Sequence, residues 1–134
     1  MSGRRSRAKG ARGDLEVRDL VRSVWPAAER GIEQCRSGTA CADVEGTPYW
    51  IEVSRAERKT AEAKMRQAVS ATDGRPPVVF RRKNRGEWLV TMRVDDFLGL
   101  ALAVVAARSL YAVATRRRRG ENGPAPADSR GRKP

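Results

Sequence analysis

Hydrophobic residues recur with a helical period in two parts of the chain. In the first, four apolar residues follow the i, i+3, i+4, i+7 spacing of one helix face: Val17, Leu20, Val21 and Val24. This spacing predicts a helix from about residue 14 to residue 25, which Pro26 ends. In the second, one face of a predicted helix consists of Ala61, Met65, Ala68, Val69 and Thr72. The turn residues "DGRPP" (73–77) end this helix.

Elsewhere the pattern alternates as it does in β-strands. Residues 48–54 read "PYWIEVS", in which Ile51 and Val53 point to one face and three residues point to the other: Trp50, Glu52 and Ser54. This alternation predicts a half-buried strand. The turn residues "EGTP" (45–48) connect it to a strand that Asp43 begins, and three more strands are predicted at 31–38, 78–80 and 87–92.

A last helix is predicted at about 95–114, so the elements follow the order α-β-β-β-α-β-β-α. This order predicts a small α/β domain in which helices flank a mixed central sheet. The last helix contains eleven residues without a polar side chain, 97–107, followed by Arg108. A membrane span needs about 20 apolar residues, so a buried or dimer-forming helix is favoured. A membrane anchor flanked by Arg116–Arg119 is the alternative.

The excess positive charge lies mainly at the two ends of the chain. The 134 residues have a net charge of +12, and residues 1–12 carry five basic side chains and no acidic one. Residues 115–134 carry seven basic and two acidic side chains. We expect a disordered basic arm at 1–12, a domain at 13–114 and a disordered basic tail at 115–134. Because a further basic run lies at 81–85, these segments indicate binding to nucleic-acid phosphates.

Cysteine and histidine content excludes several kinds of site. The chain has two cysteines and no histidine, so catalysis by a nucleophile with a histidine base is excluded. Two thiolates do not complete the four ligands of a structural zinc site. No apolar segment typical of a secretory signal is present near residue 1. We therefore expect a cytoplasmic protein with reduced thiols.

Carboxylates on neighbouring strands indicate a different kind of site. Asp43 and Glu52 are nine residues apart and are joined by a tight connection. Carboxylate oxygens are ligands that Mg²⁺ prefers, and such an ion can activate water for phosphodiester hydrolysis. A third carboxylate could come from the first helix, where Asp14 and Glu16 both flank the apolar stripe.

Several motifs resemble the PD-(D/E)xK nuclease fold, and within it the archaeal-type Holliday junction resolvases and their phage-encoded relatives. The segment "KGARGDLEV" (9–17) resembles the opening helix of that family, and "RSG" (36–38) resembles the segment before its metal-binding aspartate. The segment "ADVEGTPYWIEVS" (42–54) resembles the core motif. Residues 65–98 resemble the remaining helix and two strands, so the resemblance covers about 9–98.

This resemblance implies a Mg²⁺ or Mn²⁺ site with Asp14, Asp43 and Glu52 as ligands. The lysine of the family's ExK signature is replaced by Ser54, which can hold a water but supplies no positive charge. We expect a lysine of the following helix to reach the same place, with Lys64 as the first candidate and Lys59 as the second. Arg55 is the least suitable because the pleat turns it to the opposite face; the catalytic set is therefore Asp43, Glu52, Ser54, Lys64 and Lys59.

The resemblance also implies a function and a set of DNA contacts. The expected protein is a homodimeric, metal-dependent endonuclease that nicks four-way or other branched DNA in recombination. The alternative is a nuclease-fold protein that binds DNA without cleaving it; attachment to a membrane is not expected. The expected DNA-binding residues are Lys9, Arg12, Arg36, Ser37, Gln67, Arg81, Arg82, Lys83 and Arg85.

Overall fold

The computed structural model describes residues 2–31, 40–118 and 120. Among the described residues, the elements that can be bounded follow the predicted order of types. They are α1 (Ser2–Val21), β1 (Glu29–Arg30), β2 (Val44–Glu45), β3 (Trp50–Ser54), α2 (Ala61–Ala71), β4 (Pro77–Arg81), β5 (Leu89–Met92) and α3 (Val94–Arg118). The protein is therefore a mixed α/β structure, as the sequence predicted.

The described strands form one mixed sheet with the order β1-β2-β3-β4-β5. Strands β3 and β4 are parallel, with Glu52 opposite Val79 and Ser54 opposite Arg81, and the other neighbours are antiparallel. Helix α2 connects the parallel pair, as a parallel connection requires. Strand β3 is consequently the central strand of the sheet.

Every residue of β3 is buried, which corrects the prediction of a half-buried strand. One face packs Ile51 and Val53 against Val17 of α1. The other face places Trp50 in a second apolar cluster with Ala68 of α2. A strand covered on both faces excludes water from both sets of side chains, so the polar residues Glu52 and Ser54 are buried with the apolar ones.

Helix α1 differs from its predicted bounds at both ends. It begins at Ser2, so residues 2–12 are helical rather than an extended arm, and it ends at Val21 rather than at residue 25. Arginine, lysine and alanine in this stretch are good helix formers. Gly13 lets the helix approach β3, because a Cβ there would lie 2.7 Å from Cγ of Arg55 and 3.3 Å from Cγ1 of Val53.

The connection between β2 and β3 is as tight as the sequence predicted. Gly46 has a φ of +79°, and a Cβ there would lie 2.3 Å from the carbonyl oxygen of Ala27. Only glycine combines this left-handed conformation with so close an approach. Asp43 precedes β2 directly, and β2 pairs antiparallel with β3.

The apolar face predicted for the second helix is partly wrong. Thr60 caps α2 by accepting a hydrogen bond from the backbone nitrogen of Ala63 at 3.1 Å, so this helix begins at Ala61. Ala68 is buried, but Val69 is 39 % exposed. We expected Val69 to be buried because it lies next to Ala68 on the predicted apolar stripe. The face of α2 that contacts the sheet is narrower than that stripe.

The segment around residues 32–39 lies outside the described residues. The strand predicted at 31–38 therefore falls outside the described residues except for Gly31, which is helical. Strand β1, Glu29–Arg30, precedes it. Cys41 is disulfide-bonded, so the expectation of a reduced thiol is wrong for this residue.

The chain divides into two compact units, Met1–Phe97 and Leu98–Pro134. The first contains the sheet. The second consists, in its described part, of the remainder of α3 and Gly120. None of the side chains of α3 that the structure describes is buried, so the prediction of a buried helix is wrong.

Candidate active site

Glu52 is the most deeply placed acidic residue of the candidate site. It lies in the middle of β3 and is 4 % exposed. Its Oε1 accepts a hydrogen bond from Nε1 of Trp50 at 3.0 Å, and its Oε2 lies 2.7 Å from Nζ of Lys64. Each carboxylate oxygen therefore has a partner, which compensates in part for the loss of water.

Asp43 lies next to Glu52 because β2 and β3 are paired. Its Oδ2 accepts a hydrogen bond from the backbone nitrogen of Val53 at 2.7 Å and lies 3.8 Å from Nζ of Lys64. Burial and, after it, the negative charge of Glu52 together raise the pKa of Asp43 from its ordinary value of 3.8 to about 6, although the hydrogen bond from Val53 and the charge of Lys64 oppose this rise. The two carboxylates therefore share one site and repel each other within it.

Lys64 brings a positive charge to both carboxylates from α2. Its side chain is 13 % exposed, and its Nζ contacts Glu52 and Asp43 together. The sequence has no lysine two residues after Glu52. The ammonium of Lys64 contacts the same carboxylates from α2 instead. Lys59, the second candidate, is exposed in the segment before α2 and lies at the rim of the adjacent cleft.

Asp14, rather than Glu16, is the acidic residue of α1 that belongs to this cluster. Oδ2 of Asp14 accepts a hydrogen bond from Nε of Arg30 at 3.2 Å. Burial raises the pKa of Asp14, while Arg30 and Lys64 lower it and Glu52 raises it. Glu16 instead forms ion pairs with Arg82 at 3.0 Å and with Arg55 at 3.5 Å.

Lys64 also lines an open cleft of about 500 Å³, whose lining does not include Asp14, Asp43 or Glu52. Ser54 of β3 lines it together with three lysines, Lys9, Lys59 and Lys64, and with Glu57, which pairs with Lys9 at 3.5 Å. Ser54 itself is only 4 % exposed. A negatively charged molecule in this cleft would approach Lys64 with two further lysines nearby.

A second cleft, of about 560 Å³, is also rich in basic side chains. It shares Lys9 with the first cleft, and its other lining residues are Arg5, Ala8, Arg12, Glu16, Arg55, Arg82 and Asn84. The ring of Trp88 lies against the guanidinium groups of Arg55, at 5.7 Å, and Arg82, at 5.1 Å. These cation–π contacts and the ion pairs to Glu16 hold the two arginines in place.

The other residues predicted to bind DNA are spread over several elements. Arg81 ends β4 and is half-buried, while Lys83 and Arg85 are exposed in the connection to β5. Gln67 is exposed on α2. Arg36 and Ser37 lie outside the described residues. The structure thus brings Lys9, Arg12 and Arg82 to a common cleft but leaves the remaining described ones apart from it.

The donor atoms of this cluster are of the kind that a hard divalent cation prefers, but their present spacing does not form a metal site. Asp14, Asp43 and Glu52 supply three carboxylates, against which Lys64 and Arg30 supply two positive charges. One negative charge is therefore uncompensated, and carboxylate oxygens are suitable ligands for Mg²⁺ or Mn²⁺. As arranged, no group of three or more His, Cys, Asp or Glu side chains among the described residues is close enough to hold a metal ion. Binding by all three carboxylates would require Asp14 to move inward and Lys64 to move away from Glu52.

Two residues of the cluster were missed by sequence reasoning. Trp50 shares a strand face with Glu52, so its role as a hydrogen-bond donor could have been recognised from the i, i+2 spacing. Arg30 could not, because its pairing with Asp14 depends on how β1 meets α1.

Comparisons of the chain with protein-family models, curated proteins and solved structures found no match. We therefore infer the function from the geometry of these residues and from the motifs to which they belong.

Proposed function

We propose that this protein is a metal-dependent, structure-selective DNA endonuclease with a PD-(D/E)xK core, similar to the Holliday junction resolvases. One observation carries the proposal: the ammonium of Lys64 lies 2.7 Å from Glu52 and 3.8 Å from Asp43. The strand motif lacks its lysine, and a lysine of the next helix contacts the same carboxylates. This contact supports the proposal that Lys64 supplies the positive charge that Ser54 lacks.

The roles of the residues follow from their charges. Asp43 and Glu52 would hold the divalent cation, and Asp14 would support it. When bound, the cation would lower the pKa of a water molecule and neutralise negative charge on the phosphate. Lys64 would orient the attacking water and balance negative charge developing on the phosphate. Ser54 would offer a hydroxyl to the same water.

The basic clefts support a phosphate-rich substrate. Lys9 lines both of them, and Arg12 and Arg82 line the second. Contacts of this kind position a nucleic-acid backbone without reading its sequence, which suits an enzyme that recognises branched DNA by shape. Two symmetric nicks in a four-way junction need two active sites, so we propose a homodimer whose active sites face the cytoplasm.

One observation favours a second candidate, a DNA-binding protein without nuclease activity. Lys64 is in direct contact with Oε2 of Glu52, an oxygen that a metal ion would need. If Lys64 does not move when metal is added, its ammonium takes the place of the cation. The basic clefts would then still bind DNA.

The test is an incubation of the full chain with a labelled four-way junction and with a linear duplex of the same length. Each substrate is incubated with Mg²⁺, with Mn²⁺ and with a chelator. We expect paired, metal-dependent nicks in the junction that are lost in Glu52→Gln. Binding without nicks at saturating protein, in either metal, would support the second candidate instead.

A further inference from the structure

The apolar surface of α3 surrounds the whole helix rather than following one face. Residues 97–107 contain no polar side chain and complete three helical turns, so apolar groups point in every direction. The large ones are exposed, with Leu102 at 70 % and Val105 at 62 %. A helix that is apolar on all sides is typical of a protein core or of a membrane. The described side chains of α3 do not lie in a protein core, because none of them is buried.

The length of the helix matches the second environment. Nineteen residues separate the charges of its first turn from those of its last, from Phe97 to Thr115. At a rise of about 1.5 Å per residue, they extend for about 28 Å, close to the hydrocarbon thickness of a bilayer of about 30 Å. An 18-residue stretch within the helix Val94–Arg118 has a mean hydropathy of 1.9, so the helix is long and apolar enough to cross a membrane by length and composition.

A second copy of the chain is the competing occupant. Pairing of two helices covers one stripe on each and leaves the opposite side in water. Here the opposite side is also apolar: Leu102 and Val104 are 200° apart around the helix and are 70 % and 46 % exposed. Lipid covers all directions at once, so a bilayer accounts for the whole apolar surface and a dimer accounts for part of it.

The charged residues of α3 lie where a bilayer permits them. Asp95 and Asp96 are in the first turn, and Arg116, Arg117 and Arg118 are in the last. Arginine side chains at the end of an apolar helix are attracted to anionic lipid headgroups. The exception is Arg108, whose long side chain has to extend toward the headgroups from within the apolar stretch.

We propose that α3 inserts into a lipid bilayer and anchors the protein to a membrane. This proposal differs from the expectation of a dimer-forming helix, and it does not depend on nuclease activity. It commits to lipid as the partner, with insertion through the apolar groups rather than adsorption through the basic ones.

The experiment reconstitutes the full chain with neutral phosphatidylcholine vesicles in high salt and measures the fraction that floats with them. Neutral lipid and a Debye length of about 3 Å remove attraction between the positive protein and lipid headgroups. We expect the parent chain to float. Leu102→Arg should reduce its partitioning about tenfold or more. Val24→Arg is the matched control, because Val24 is 66 % exposed, as Leu102 is 70 % exposed, but lies outside the helix; it should float like the parent.

A gain of partitioning distinguishes insertion from a folding defect. Arg108→Leu removes the charge within the apolar stretch, so it should float more completely than the parent chain under conditions in which the parent is only partly bound. The proposal is overturned if the parent stays in solution without vesicles or detergent as a defined dimer that Leu102→Arg dissociates, which identifies a second copy as the occupant. It is also overturned if Arg108→Leu leaves flotation unchanged.

Discussion

The ammonium of Lys64 contacts Glu52, which is buried, and Asp43, whose side chain is 32 % exposed. Its removal should impair catalysis, and it should also cost stability because it leaves the charge of Glu52 without its partner. We predict that Lys64→Ala lowers single-turnover nicking of a four-way junction about 100-fold or more, the size of effect seen when one electrostatic partner of a transition state is lost. Lys59→Ala removes an exposed lysine of the same cleft and should change the nicking rate by less than about threefold. Equal effects of the two substitutions would show that Lys64 has no special role.

Asp43 provides a prediction about stability as a function of pH. Its pKa is raised from 3.8 to about 6 in the folded protein, so the folded state binds a proton more tightly than the unfolded state does. Its contribution therefore favours folding at low pH and is lost as the pH rises from about 4 through about 6. In the presence of a chelator, the ionised carboxylate should destabilise the folded chain at neutral pH.

Asp43→Asn should accordingly be more stable than the parent at about pH 7.5 by at most about 3 kcal/mol, and by less to the extent that water screens the side chain. The amide can still accept the hydrogen bond from Val53. The difference in unfolding free energy should shrink below about pH 6 and vanish near pH 4. Denaturant unfolding in chelator across this pH range measures it; a substitution that destabilises equally at every pH contradicts the prediction.

Trp50 should tune the site without touching the substrate. Its indole nitrogen donates to Oε1 of Glu52, and the guanidinium of Arg75 lies 5.2 Å from its ring centre. Trp50→Phe keeps an aromatic ring but removes the donor, so we expect a Mg²⁺ requirement for nicking about tenfold higher, as for other supports of metal-ligating groups. Trp25→Phe alters another partly buried tryptophan, one that packs against Tyr49, and should leave the Mg²⁺ titration unchanged.

At the scale of elements, we propose that Lys64 of α2 supplies the ammonium that the strand motif of β3 lacks. The double substitution Ser54→Lys with Lys64→Ala moves the ammonium from α2 to β3, where both positions line the same cleft. We predict that the double variant nicks at least about tenfold faster than Lys64→Ala alone, because the charge needed near the phosphate is restored. Ser54→Lys by itself should not increase nicking, since Ser54 is buried and a second ammonium would be repelled by the first. An increase in that single variant, together with no rescue in the double one, contradicts a role for Lys64.

The limits of sequence-based prediction are also clearest for the elements. The alternation in β3 identified the strand and the shared face of Trp50, Glu52 and Ser54, because a pleat imposes a period of two. It did not reveal that helices cover both faces, since burial of the polar face depends on where α1 and α2 pack. The start of α1 was missed for a related reason: basic residues were taken as evidence of disorder, although their helix propensity is high.

For the site, sequence reasoning found the residues whose roles follow from the strand and helix patterns. Asp43 and Glu52 were expected together because a tight turn joins their strands, and Lys64 because it lies beside the apolar face of α2. The choice between Asp14 and Glu16 was left open, because both flank the same stripe. The structure separates them through partners distant in the sequence, Arg30 for one and Arg82 for the other.

At the scale of the whole molecule, the described residues collect several basic side chains around one cleft. The helical start of α1 presents Arg5, Lys9 and Arg12 along one cleft, and the β4–β5 region adds Arg82 to it. A helix holds these side chains in a common orientation that an extended arm would not maintain. We infer that α1 contributes fixed phosphate contacts and not only a general attraction for polyanions.

Fixed contacts can be counted by the dependence of DNA binding on salt. Each phosphate that a protein neutralises contributes about 0.9 to the slope of log K against log salt concentration. Arg12→Gln should therefore reduce the slope by about 1 and weaken binding to junction and linear duplex alike. Arg22→Gln is the control, because it removes the same charge from a nearby residue. Arg22 is paired with Glu29 and hydrogen-bonded to the carbonyl of Ala28. Binding is measured in chelator so that no cleavage occurs. A similar loss of slope in both variants would mean that net charge alone, rather than the cleft, attracts the DNA.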